Sequence, residues 1–333
     1  MYTFLVTGGA GFIGSHVSET LLREGNKVII IDSFNDFYSP EIKKKNIQDI
    51  ESTCRNNQIP IDNLIVIKGD IRDKALLEKV FLNNKIDCVI HLAAYAGVRP
   101  SIEKPELYYD VNVTGTLILL EALRKNNVKR MVFASSSSVY GNNKKIPFSE
   151  TDAVDNPISP YASTKKAGEL LCYTYSHLYH INTACLRFFT VYGPRQRPDL
   201  AIYKFTKLLS ADKEIPFFGD GNSRRDYTYI DDIVDGIMKA ILWTSLPDSR
   251  YDIFNLGENH TVSLTEMVHT IEEALGKTAK LRVLPKQAGD VEITNADINK
   301  SKLVLGYNPS IEFSDGIQRF IEWYKYSNGG WKK

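Results

Sequence analysis

The segment Thr7-Gly8-Gly9-Ala10-Gly11-Phe12-Ile13-Gly14 follows a short apolar run, Phe4-Leu5-Val6, and opens an amphipathic stretch over residues 13–23. A strand that turns through glycines straight into a helix lets backbone come close to a bound group. It also aims the first helical N–H groups at an anion. The rhythm then repeats. Val28-Ile29-Ile30-Ile31, Leu64-Ile65-Val66-Ile67, Cys88-Val89-Ile90-His91-Leu92 and Met131-Val132-Phe133-Ala134 read as buried parallel strands. Helical patterns at 75–82 and 111–124 lie between them. Repeated β-α-β units demand an α/β fold built on a doubly wound parallel sheet of the Rossmann type.

Another strand, Asn182-Thr183-Ala184-Cys185-Leu186-Arg187, follows, and after about residue 190 shorter elements are punctuated by Gly193-Pro194 and Gly219-Asp220-Gly221-Asn222. Residues 229–242 have a helical apolar period, and Tyr251-Asp252-Ile253-Phe254-Asn255-Leu256-Gly257 reads as a strand. The expected division is a dinucleotide-binding domain over 1–190, with 226–258 returning to it. A smaller α/β lobe for substrate takes 191–225 and 259–333. The polar stretch 41–57 reads as a surface helix plus loop.

A formal charge of +1 gives no electrostatic case for nucleic acid or acidic membranes. No segment approaches the roughly 20 apolar residues that span a bilayer, and the N-terminus has no leader pattern. Four cysteines without metal-like spacing read as reduced thiols. His177 and His180 lack the partners of a metal site, so no metal is expected. These features describe a soluble, cytoplasmic chain.

Gly8, Gly11 and Gly14, with Phe12 and Ile13, mark a pyrophosphate site, although a tight turn alone also needs glycine. Asp32 ends the second strand, where a carboxylate bonds adenosine-ribose hydroxyls and repels a 2′-phosphate, favouring NAD over NADP; Asn35 joins it in this reading. A helix cap is the plainer role for Asp32. Asp70 and Ile71 flank adenine. Leu92, Ala93 and Ala94 are small enough to admit a dinucleotide, and Asn112 is either a cofactor contact or an ordinary cap. Tyr161 and Lys165 stand one helical turn apart, after the serine run Ser135-Ser136-Ser137-Ser138. A phenol, ordinarily near pKa 10, becomes a usable base only if positive charge lowers that value. Ser136 on its own reads as a polar strand end.

These segments, with Val139-Tyr140-Gly141, Arg225-Asp226-Tyr227 and Asn255-Leu256-Gly257, resemble the extended short-chain dehydrogenase/reductase family, specifically its nucleotide-sugar epimerases. The resemblance implies a homodimer and a Tyr161 base acting on the sugar 4-hydroxyl while the C4 hydride passes to NAD. Lys165 would hold the nicotinamide ribose, and Ser136, aligned with the family's catalytic Ser/Thr, would bond the reacting oxygen. The 4-keto sugar turns over and is reduced on its other face, with no net redox change. Related dehydratases and decarboxylases usually carry an acid just before Val-Tyr-Gly; here Ser137 and Ser138 supply none.

Ala96-Gly97-Val98-Arg99, Arg197-Pro198-Asp199 and Gln287-Ala288-Gly289-Asp290 resemble the UDP-glucuronate 4-epimerase branch. Thr190 and Gln287 stand where UDP-glucose epimerases carry Asn and Arg. The resemblance implies that Ser137, Ser138 and Thr190 bind the uronate carboxylate, with Arg99 or Arg197 adding charge. Arg225 would meet the diphosphate and Asp290 the uridine ribose; surface roles stay open for Arg99 and Arg197. Rival readings are an epimerase of UDP-glucose or UDP-N-acetylglucosamine, and a silent NAD-binding sensor or scaffold.

Overall fold

The computed structural model describes residues 1–285 and 291–327. Its strands are β1 (Thr3–Thr7), β2 (Lys27–Asp32), β3 (Leu64–Lys68), β4 (Cys88–His91), β5 (Arg130–Ser136), β6 (Asn182–Phe188), β7 (Thr190–Tyr192), β8 (Ile215–Phe218), β9 (Arg224–Arg225), β10 (Tyr227–Tyr229), β11 (Tyr251–Leu256), β12 (Val262–Ser263) and β13 (Leu281–Leu284). Seven of them form one sheet in the order β11-β6-β5-β4-β1-β2-β3. Every neighbouring pair is parallel, which bears out the doubly wound fold.

Alternate residues of each strand point to opposite faces, and both faces are covered. Phe4, Val6, Val28, Ile30 and Ile90 pack into one core with the helices Phe12–Arg23 and Ile230–Trp243. Leu5, Ile29, Ile31 and Val89 pack into the other, beneath Lys74–Asn83, Gly115–Lys125 and Pro160–Tyr179. Burial on both sides is why these strands are continuous runs of β-branched residues.

The surface helix expected over 41–57 is the helix Pro40–Asn56, which buries Lys43, Asn46, Ile47, Ile50, Thr53 and Cys54 on one face and leaves Glu41, Lys44, Lys45 and Gln48 exposed on the other. One expectation needs correction. The pattern expected over 111–124 is broken. The helix Pro105–Tyr109 runs through a π-helical turn, Asp110–Thr114, before Gly115–Lys125 begins.

Beyond β7 lie the helices Ala201–Ser210 and Leu264–Leu275 and the parallel pair β8–β13. β11 then returns to the large sheet beside β6. Cys54, Cys88, Cys172 and Cys185 are free and buried. No helix among the described residues is long and apolar enough to cross a membrane. The strand order reverses between β1 and β4, so a crevice opens at their C-terminal ends.

Candidate active site

A cavity of about 470 Å³ occupies that crevice. One end is built largely from backbone. Gly8 takes φ +73° and its N–H bonds the Ile31 carbonyl at 2.8 Å. A Cβ on Gly14 would lie 2.3 Å from the Gly8 oxygen, and one on Gly8 would lie 2.8 Å from the Ala93 nitrogen. Only glycine permits this packing. Gly11 precedes the helix Phe12–Arg23 and brings no side chain to cap it, so the first-turn amides stay available to an anion. Gly8, Gly11, Phe12, Ile13 and Gly14 all line the cavity.

Beyond the turn, the buried Asp32 carboxylate accepts N–H bonds from Ala10 (3.2 Å) and Phe34 (2.8 Å). Burial pushes its pKa up, while the Phe34 amide, the Lys43 charge and the Ala10 amide pull it back. Lys43 donates to the backbone and side-chain oxygens of Asn35, at 2.9 and 2.8 Å, and lies 4.8 Å from the Tyr38 ring centre. Across the cavity Arg72 grips Asp70 through two nitrogens, at 3.0 and 2.7 Å, and holds that carboxyl below its usual range. Ile71, Leu92, Ala93 and Ala94 complete this wall.

Side chains build the other end. Ser159 caps the helix Pro160–Tyr179 by accepting the Ala162 N–H at 3.1 Å. That fixes Tyr161 in the first turn beside Ser136, the last residue of β5. Lys165 follows one turn later and donates to the Ala134 carbonyl at 2.7 Å. Its nitrogen is 5.3 Å from the Phe133 ring centre and 5.9 Å from that of Tyr161. Burial pulls its pKa down to about 8. Burial pushes Tyr161 up, opposed by a hydrogen bond with Ser136 and by the charge of Arg197. Arg197 therefore joins Lys165 as a cation beside the phenol. Arg197 is held by Asp199 at 3.0 and 2.8 Å and stacks 5.2 Å from Phe37. Thr190 lines the same end, its backbone N–H fixed to the Asp226 carbonyl at 3.0 Å.

Some expected site residues lie elsewhere. Asn112 is not in the cavity wall. Its side chain accepts from the Tyr95 N–H (2.8 Å) and donates to the Tyr95 carbonyl and the Thr164 hydroxyl (both 3.0 Å). With those partners it ties two walls together. Ser137 and Ser138 open the 3₁₀ turn Ser137–Tyr140 just behind Ser136, and Ser138 exchanges two 3.1 Å bonds with Ser136. Arg99 sits on the short helix Val98–Glu103, and Arg225 donates to the carbonyls of Arg224 and Glu292. None of these four lines the cavity. Gln287 and Asp290 fall outside the described residues.

The sequence reading missed Lys43, Arg72, Phe37, Tyr38 and Tyr95, which all line the cavity. Lys43 had a usable signal: it shares a helical face with Asn46, Ile47 and Ile50. Ser135 and Arg187, both motif residues, serve the frame. Ser135 donates to Glu169 at 2.6 Å, and Arg187 forks onto the same carboxylate at 2.8 and 2.9 Å. A buried carboxylate paired this fully braces β5, β6 and the Tyr161 helix.

A glycine turn under a carboxylate-ended strand, leading to a Ser–Tyr–Lys cluster, defines a dinucleotide-dependent enzyme of the extended short-chain dehydrogenase/reductase class. The chain belongs to the family described as GDP-mannose 4,6 dehydratase, whose model matches residues 5–320. It is 42% identical over 323 residues to a UDP-glucuronate 4-epimerase of Thermodesulfobacterium geofontis, covering 97% of this chain and 96% of the relative. The crystal structure of UDP-glucuronic acid 4-epimerase from Bacillus cereus, in complex with UDP-glucuronic acid and NAD, superposes with a TM-score of 0.89. The two are 37% identical, with 98% of this chain and 99% of that one covered. UDP-glucose 4-epimerase from Thermotoga maritima, with UDP-glucose, superposes with a TM-score of 0.87 at 30% identity, covering 98% and 99%.

Proposed function

We propose that this chain is an NAD-dependent 4-epimerase that interconverts UDP-glucuronate and UDP-galacturonate. One observation carries the reading. Ser136, Tyr161 and Lys165 meet at one end of the cavity, while the carboxylates among its described lining residues, Asp32 and Asp70, stand at the other. Oxidation at a carbinol carbon has its base there, and elimination lacks its acid. A silent sensor would have no need of all three reactive groups.

The cavity fits NAD on its own geometry: no Cβ is tolerated at Gly14, and Asp32 offers a buried carboxylate where a ribose diol would lie. Gly8, Gly11 and Gly14 would hold the pyrophosphate, Asp32 and Asn35 the adenosine ribose, Asp70 and Ile71 the adenine, and Lys165 the second ribose. Bound there, the dinucleotide would supply the acceptor for the C4 hydride. Tyr161 takes the 4-hydroxyl proton and later returns it, with Ser136 bonding the same oxygen. The charge of Arg197 makes the phenol easier to ionise.

The keto form of a uronate is a β-keto acid, prone to lose CO₂. In this reading Thr190 in the cavity wall, with Ser137 and Ser138 just outside it, fixes the carboxylate so that its C–C bond stays out of line with the keto π-system. Arg197 adds positive charge, and Arg225 and Asp290 serve the UDP moiety. Thr190→Val should then release more 4-keto-pentose; no increase over the unaltered enzyme removes that role. Tyr109, Leu117, Leu170 and Tyr173 are exposed on the helices Pro105–Tyr109, Gly115–Lys125 and Pro160–Tyr179. This supports a homodimer through those helices. A cytoplasmic location is part of the same proposal.

The test is to incubate the protein separately with UDP-glucuronate, UDP-glucose and UDP-N-acetylglucosamine and identify products by NMR. UDP-galacturonate should form fastest. Faster conversion of UDP-glucose would overturn the substrate assignment.

A further inference from the structure

We propose that His91, which lies outside the cavity, is a positioning residue that sets the spacing between the cavity wall at Ala93–Tyr95 and Tyr161. It stands at the end of β4, opposite Thr7 of β1, and is 2% exposed. Its Nδ1 is 2.7 Å from the Thr7 hydroxyl and its Nε2 is 2.9 Å from the Thr116 hydroxyl. Thr7, Thr116 and Thr164 are fully buried, so each polar atom here needs a partner within the protein.

The direction of every bond follows from proton counting. Thr116 stands 2.6 Å from the Asn112 carbonyl, which can only accept, so the Thr116 proton is spent there. Thr116 must then accept from His91, which puts the imidazole proton on Nε2. Nδ1 is left as an acceptor, so Thr7 donates to it. The Thr7 oxygen in turn accepts the Ala93 N–H at 3.3 Å. From Asn112 the chain continues through its side chain to Thr164, whose hydroxyl donates to the Tyr161 carbonyl at 2.8 Å. One neutral tautomer of His91 satisfies the whole series.

This path joins the parts whose spacing decides hydride transfer. Its Ala93 end abuts Gly8, where there is no room for a Cβ. Its Asn112 branch clamps both backbone groups of Tyr95. Its far end holds the first turn of the Tyr161 helix. The His91 ring also lies against Phe133, 5.7 Å between centres, and the Lys165 nitrogen stands 5.3 Å from the Phe133 ring centre. A protonated His91 would donate to Thr7 as well, and the Thr7 hydroxyl proton would lose its acceptor. Burial, with Lys165 nearby, keeps it neutral down to about pH 3.

The test joins a spectroscopic readout to a kinetic one. The chain has six histidines, so ¹⁵N-histidine NMR on the intact protein can be assigned with His91→Phe. His91 should show a single neutral tautomer, with its proton on Nε2, from pH 5 to 8. A proton on Nδ1, or titration near the ordinary value, overturns the proposal. Turnover is then measured per NAD-loaded site in His91→Phe, in the isosteric Thr116→Val and in the double variant. Each single change should lower kcat about tenfold with KM within twofold, because spacing matters to the reacting atoms more than to binding. The double variant should be no worse than the poorer single one, since both break one unit. Unchanged kcat per loaded site in Thr116→Val, with only thermal stability lost, contradicts it, as do losses that multiply. The kinetic arm rests on the epimerase reading. If the unaltered protein does not convert UDP-glucuronate, that reading fails, and the tautomer alone decides the role of His91.

Discussion

The two ends of the cavity solve different problems. At the glycine end partners offset much of the cost of burial: Asp32, whose pKa burial still raises, receives two backbone N–H bonds, Asp70 is gripped by Arg72, and the turn has glycine wherever a Cβ would collide. At the Tyr161 end the titratable groups are held against their preference. Lys165 is pulled down to about 8 by burial, and Tyr161 is pushed up by the same cause. The first end is built to bind and the second to react. Removing a group should therefore have opposite consequences for stability at the two ends.

Tyr161→Phe should have the largest effect. Turnover should fall by about 10²–10⁴-fold, the usual worth of a placed acid–base group, while NAD and UDP-sugar still bind by calorimetry. Loss of binding instead would erase the distinction between the ends. Gly14→Ala should do the reverse. Its new Cβ meets backbone at 2.3 and 2.7 Å, so NAD affinity should drop about 10–100-fold, the equivalent of an overpacking strain, and thermal stability should fall.

Lys165→Met is the sharpest contrast, with the smallest energy. Below pH 8 the folded chain bears the whole cost of burying an ammonium. Between 8 and the unfolded value of 10.5 the folded state sheds its proton first, so that cost fades as pH rises. The variant should be inactive yet more stable at pH 7, by on the order of 1–3 kcal/mol, with the gain shrinking by pH 10. Denaturant melts at both pH values check this, and a variant less stable at pH 7 would show that the Ala134 bond outweighs the burial cost.

The ends also differ in how much of them could be read from the sequence. The glycine turn and Tyr161–Lys165 were legible because their geometry is set by neighbours in the chain: strand into helix, and one helical turn. The sheet was legible because burial on both faces demands unbroken β-branched runs. Lys43 was hidden because a lysine in a polar helix looks solvated. Its partner Asn35 lies on another segment, and only the fold brings them together. The partners of Asn112 were hidden for the same reason: Tyr95 and Thr164, which use up its side chain, come from two separate segments. That Arg197 adds its charge beside Tyr161 depends on where the loop after β7 returns, which no local pattern records.

The central claim is that Tyr161 and its neighbours carry out a reversible oxidation at C4 and nothing more. The most direct measurement uses UDP-glucuronate deuterated at C4 in ordinary water, with the product analysed by NMR. UDP-galacturonate should form with the deuterium kept at C4, because the hydrogen leaves and returns as hydride without meeting solvent. Product with protium at C4, or no UDP-galacturonate at all, would contradict the account.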